Sequence, residues 1–204
     1  GQYPLPESSL DAIDYDGALD GSIEEQAELR EKGLETISEP GMAPDLTSEL
    51  SEQDAAYLKA VYALKVRDAD QRVGTFISKL KSMGLYENTV IIVMSDHGDE
   101  FMEHGGLDHG ISLYQEQIHV VMMMRFPGYG RRQDIPQTVR TLDLFPTLFD
   151  ALGQEGPAGV DGVSLLPLMR NQSWDAGVFS ETDYRLFVNH SMVRDGQYKL
   201  IQDL

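Results

Sequence analysis

Apolar positions recur along this chain with two distinct periods. From Ser51 onward, Leu58, Tyr62, Val66, Ala69, Val73, Phe76, Ile77 and Leu80 fall at steps of three and four, which predicts one helix of about eight turns with a single apolar stripe. Ser51 followed by Asp54 supplies its cap, and Gly84 ends it. Val90 to Met94 is then an uncharged β-branched and apolar run, the pattern of a strand buried on both faces of a parallel sheet. Ile118 to Phe126 reads as a second buried strand closing at Pro127 and Gly128, with Met122, Met123 and Met124 as core filling. Leu142 to Leu152 predicts a short helix with Pro146 in its first turn and Gly153 at its end, and Ser164 to Met169 a further helical turn. Val178 to Thr182, Phe187 to Arg194 and Tyr198 to Ile201 read as short strands, the last two joined by an Asp195-Gly196 hairpin turn.

The amino-terminal part lacks such periodicity. Residues 1 to 46 carry Pro4, Pro6, Pro40 and Pro44 among scattered acids, with one short helix expected from Ser22 to Lys32. Tyr3, Leu5, Leu10, Ile13, Tyr15 and Leu19 could dock this connection onto a core. Three regions follow: an irregular acidic connection (1–50), an α/β core (51–170) and the start of a small antiparallel subdomain (171–204).

Charge sharpens this division. The net charge is -18, and residues 1–56 hold fifteen acids against Arg30 and Lys32. Such a balance argues against a nucleic-acid partner, and any anionic ligand would need a cation or local basic groups to approach. No apolar run is long enough to span a bilayer. With no cysteine in the chain, a metal would be held by carboxylates, imidazoles or carbonyls. The acidic surface suits an extracellular or periplasmic protein.

Chemistry concentrates where the Val90–Met94 strand ends. Ser95-Asp96-His97-Gly98 follows it directly, and open α/β sheets place ligands at the carboxyl ends of their strands. Asp96 and His97 can offer one oxygen and one nitrogen to a divalent cation. The same tripeptide can also be a turn in which Asp96 bonds its own backbone and His97 lies at the surface. Three of the five histidines, His97, His104 and His109, fall within this loop beside Asp99, Glu100, Glu103 and Asp108, more ligand-type groups than a solvated turn uses. By contrast, Asp68, Asp70 and Arg72 on the long helix read as solvated or ion-paired surface.

The order of landmarks is more specific than any single motif. Tyr62, Asp70, Val73-Gly74, Gly84-Leu85, Asn88-Thr89, Ser95-Asp96-His97-Gly98, Glu103-His104-Gly105, Leu113-Tyr114-Gln115-Glu116, Pro127-Gly128, Asp143 to Leu148 and Asp161 to Leu166 together resemble the carboxyl-terminal half of sulfatases in the alkaline phosphatase superfamily. The likeness runs from about residue 52 to the end, and more weakly near Tyr3-Pro4. It implies a partial alkaline phosphatase-like α/β fold, a mostly parallel sheet flanked by helices with a small antiparallel C-terminal sheet.

It further implies a hydrolase of small-molecule or glycan sulfate esters that uses one divalent cation, calcium foremost, with manganese, zinc or magnesium as alternatives. In this likeness Asp96 and His97 match a pair of metal ligands. His109 matches the catalytic histidine contacting the substrate's anionic group, and His104 is a further substrate-binding candidate. Departures accompany it. The lysine many sulfatases carry before Leu113-Tyr114 is replaced by Gly110, Ile111 and Ser112, and the usual Val-Pro is Val120-Val121. A Cys/Ser-x-Pro-x-Arg nucleophile motif, the source of formylglycine, and an early Asp-Asp metal pair are absent from the sequence. The resemblance therefore leads us to expect a fragment, inactive alone, whose nucleophile and first ligand pair lie upstream. A phosphodiesterase or phosphatase of the same superfamily and a non-catalytic binding domain are the alternatives.

Overall fold

The computed structural model describes residues 7–39, 42–129, 132–173, 177–184 and 188–203; Tyr3, Pro4, Leu5, Pro6, Pro40 and Phe187 lie outside them. The acidic connection forms two helices, α1 (Glu7–Leu10) and α2 (Ile23–Glu35). Ser22 caps α2, its hydroxyl accepting from the Glu25 amide. The long helix α3 (Glu52–Ser82) begins at a complete Ser51/Asp54 capping box. It stops before Gly84, whose φ of 69° is left-handed and costs glycine nothing.

The core forms where α2 and α3 pack against the segment that carries Phe101 and Leu107. Leu29, Leu46, Leu50, Tyr57, Leu58, Val61, Phe101 and Leu107 are buried together, and Leu10, Ile13, Tyr15 and Leu19 pack against them. The acidic connection is thus part of the hydrophobic interior. Tyr15 stacks on Tyr57 with ring centroids 3.9 Å apart and donates its hydroxyl to Asp54. The apolar stripe of α3 behaves unevenly: Leu58 and Val61 are buried, whereas Val66 and Phe76 are 51% and 59% exposed.

Strand β1 (Ile91–Met94) differs from expectation in both partner and burial. It pairs antiparallel with β4 (Met122–Arg125), Ile91 opposite Arg125 and Met94 opposite Met122, and all four of its residues are only half-buried. Between the two strands lie a hairpin and the short helix α4 (Gln115–Ile118). This connection returns the chain beside β1 in the reverse sense, without the crossover helix that a parallel neighbour needs. Among the described residues every paired strand is antiparallel. Met123, expected in the core, is exposed on this ribbon.

Helix α5 (Leu144–Ala151) lies within the predicted range, and α6 (Leu166–Met169) follows. Their junction is organised by polar groups. The fully buried Asp143 takes an ion pair from Arg140 at 2.8 Å and the Val163 amide at 3.0 Å, while Thr147 accepts from the Leu165 amide at 2.8 Å. The last three strands, β5 (Val178–Tyr184), β6 (Val188–Asp195) and β7 (Tyr198–Asp203), form the expected antiparallel sheet in the order β5-β6-β7. Lys199 donates to the Leu113 carbonyl, and Thr182 to the Gly110 carbonyl at 2.8 Å. This sheet is thereby tied to the loop that follows His109.

Candidate metal and anion site

The site is built outward from the end of β1. The Ser95 amide donates to the Val121 carbonyl at 3.2 Å and the Ser95 hydroxyl accepts from the Val121 amide at 3.1 Å, so the ribbon is held up to the residue before Asp96. Asp96 accepts from the His97 amide at 3.0 Å, a turn-type bond. Its carboxylate is nevertheless exposed and lies 3.6 Å from His97 Nε2. Hydrogen bonds from backbone amides at Asp96 and His97 hold its pKa below the usual carboxylate range. The glycine that follows is sterically required. The Gly98 amide donates to the Gln117 carbonyl at 2.8 Å, and a Cβ here would stand 2.1 Å from the Glu116 carbonyl oxygen.

A small hairpin then brings the second histidine back. Strands β2 (Glu100–Phe101) and β3 (Leu107–Asp108) pair Glu100 with Asp108 and Phe101 with Leu107. They are anchored by Glu100, a carboxylate 2% exposed. It accepts from the His104 amide at 2.9 Å, the Gly106 amide at 3.1 Å and Gln117 Nε2 at 2.9 Å. Gln117 in turn accepts from the Ile111 and Ser112 amides at 3.2 and 3.1 Å. A buried charge is tolerable because its lone pairs are used in this way. Helix α2 closes the far side: Arg30 pairs with Asp108 at 3.3 Å and donates to the His109 carbonyl at 3.0 Å.

His97 and His109 consequently meet. Their rings stack with centroids 3.4 Å apart. His109 Nδ1 lies 2.8 Å from Asp99 and 2.5 Å from Asp108, and these two carboxylates push its pKa up to about 9. Asp108 holds this position from a left-handed backbone, φ 78°, an uncommon conformation for a residue other than glycine. One ligand atom from each of His97, Asp99 and His109 lies within 4.8 Å of the others. His97 and Asp99 offer a nitrogen and an oxygen that suit a divalent cation, and Asp96 stands at the exposed side, while His109, whose Nδ1 is taken by Asp99 and Asp108, is left to meet an anion. These residues fit the cation that the sequence leads one to expect.

Of the four residues singled out by sequence, Asp96, His97 and His109 are brought together and His104 is not. His104 is exposed, stacks on Tyr114 at 3.6 Å and pairs with Glu116 at 3.3 Å, beside a separate small cavity. Asp99 and Asp108 stood out in sequence only as acidic neighbours, yet they make the closest contacts to His109. The two stacked rings face a cleft of ≈ 530 Å³ whose other walls are α2 and α3.

The sulfatase family model matches residues 24–154, a span that includes the whole of this site. The chain belongs to the sulfatase family. Among curated relatives, arylsulfatase K of Mus musculus is 30% identical over 165 residues, 76% of this chain and 30% of the relative. Arylsulfatase K of Canis lupus familiaris is 30% identical over 129 residues, 63% of this chain and 24% of the relative. The matched part of this sulfatase chain thus spans only 24% and 30% of those two proteins. Among solved structures, it is similar to a phosphonate monoester hydrolase from Silicibacter pomeroyi, with TM-score 0.70, 25% identity and coverage of 95% of this chain and 42% of that one. It is also similar to a 2-O GAG sulfatase, with TM-score 0.69, 28% identity and coverage of 77% and 36%. These neighbours carry the alkaline phosphatase-like fold, so the mixed α/β architecture with a small antiparallel sheet at its end agrees with the expected class.

Proposed function

We propose that these residues form the metal-binding and anion-binding part of a sulfate ester hydrolase, whose activity belongs to the complete protein. The observation that carries the reading is the convergence of His97, Asp99 and His109 at the end of β1, with Asp96 3.6 Å from His97 Nε2. Asp96 and His97 would hold a divalent cation, with calcium, manganese, zinc and magnesium as the candidates. When bound, the cation offsets negative charge on the sulfuryl oxygens. Asp99 and Asp108 occupy Nδ1 of His109, which leaves its Nε2–H to donate to a sulfuryl oxygen. The nucleophile, expected as formylglycine, and the remaining ligands would come from residues beyond these 204, and the chain alone would then not turn over substrate. Small-molecule or glycan sulfate esters are the substrate class.

A second reading, phosphoryl or phosphonyl transfer, is favoured by the likeness to the phosphonate monoester hydrolase, since tetrahedral anions present similar oxygens to a cation. Asp96→Ala separates structure from function. Its side chain is 89% exposed, so thermal unfolding should be unchanged within about 0.5 kcal/mol. Metal-dependent turnover by the complete protein should be abolished. Undiminished hydrolysis of aryl sulfates and aryl phosphates alike would refute the ligand assignment, and loss of phosphate turnover alone would select the second reading.

A further inference from the structure

One wall of the ≈ 530 Å³ cleft is not used by the chemistry above. Helix α3 contributes Tyr62, Lys65, Asp68 and Arg72 to it, opposite His97 and His109, at the three- and four-residue spacing of one helical face. The cations around this cleft differ in how they are balanced. Arg72 is paired with Asp68 at 2.6 Å, Arg30 with Asp108, and His109 lies between two carboxylates. Among the described residues, Lys65 alone of these has neither an ion pair nor a hydrogen bond at its ammonium. Burial lowers its pKa, opposed in part by the longer-range charge of Asp99. A half-buried ammonium without a partner loses hydration and gains little for the fold.

An incoming sulfate ester would be met by the cation and His109. A substrate with a second acidic group needs a second counter-charge, because the chain around it is strongly acidic, at -18 overall. We propose that Lys65 binds that group, a sulfate or carboxylate beyond the scissile ester, and so makes this site selective for multiply charged substrates. The proposal rests on the sulfate ester reading above. It assigns α3 a direct role in substrate choice.

The test is competition: the complete protein hydrolyses an aryl sulfate with calcium present, and N-acetylglucosamine 6-sulfate and glucosamine N,6-disulfate are titrated as inhibitors. The wild-type protein should hold the disulfated sugar about tenfold more tightly, as one charged hydrogen bond allows. Lys65→Met keeps the aliphatic stem and removes the charge. It should erase that preference and leave the monosulfate affinity unchanged, whereas Lys65→Arg should restore it. A wild-type protein that takes the monosulfate without preferring the disulfate, or a preference that survives Lys65→Met, overturns the subsite alone. A complete protein that hydrolyses no aryl sulfate overturns the proposed function and the subsite with it, and one that hydrolyses it but is inhibited by neither sugar overturns the subsite alone.

Discussion

Removing the Glu100 carboxylate tests whether the histidine hairpin is held from within. This group is 2% exposed and accepts three hydrogen bonds, from the His104 and Gly106 amides and from Gln117. In Glu100→Ala, three donors lose their acceptor in a region that solvent hardly reaches. Each such donor costs about 1–3 kcal/mol when left unsatisfied. Two effects reduce the sum: the desolvation cost of a buried charge disappears, and the vacated space, next to an existing cavity of ≈ 10 Å³, can admit a water. The net loss should be about 3 kcal/mol. Glu100→Gln should cost about 1–2 kcal/mol, because one acceptor oxygen survives while its new amide opposes the amide of Gln117. Gln117 cannot simply flip, since its oxygen already serves the Ile111 and Ser112 amides. Urea unfolding gives the magnitudes. Hydrogen exchange locates them, with protection lost first at His104, Gly106, Ile111 and Ser112. A Glu100→Ala chain within about 0.5 kcal/mol of wild type, with those amides still protected, would refute the idea that this carboxylate organises the hairpin.

Two further outcomes follow from the site's geometry. The pKa of His109 is raised from 6.5 to about 9 in the fold, so the folded state favours the protonated ring. Its contribution is complete below pH 6.5 and is lost as pH rises through about 9. With the ring one-third exposed, screening reduces that contribution to about 1 kcal/mol; an NMR titration of the ring checks the midpoint, which Asp99→Asn should lower. Gly98→Ala places a Cβ 2.1 Å from the Glu116 carbonyl oxygen and should destabilise the chain by about 2–4 kcal/mol in thermal unfolding, whereas unchanged stability would mean that the β1 terminus and α4 separate freely.

Local chemistry made several elements legible from sequence alone. Ser22 and Ser51 begin helices because their hydroxyls reach amides three residues on, and Asp195-Gly196 joins two strands at Gly196, whose φ is 56°. The Asp96-His97 pair was visible as donors at a strand's end for the same reason: the residues that create the pattern are adjacent. Interactions between distant segments set the rest. Tertiary pairing made β1 an antiparallel, half-exposed strand, because an uncharged run does not encode which neighbour it meets. The register of the β2–β3 hairpin stacked His109 on His97 and left His104 outside. Packing of α2 and α3 placed Arg30 beside Asp108 and Lys65 in the cleft wall, 32 positions before His97. Side-chain identity determined which groups could bind a cation or an anion, and long-range backbone placement decided which of them share a single site.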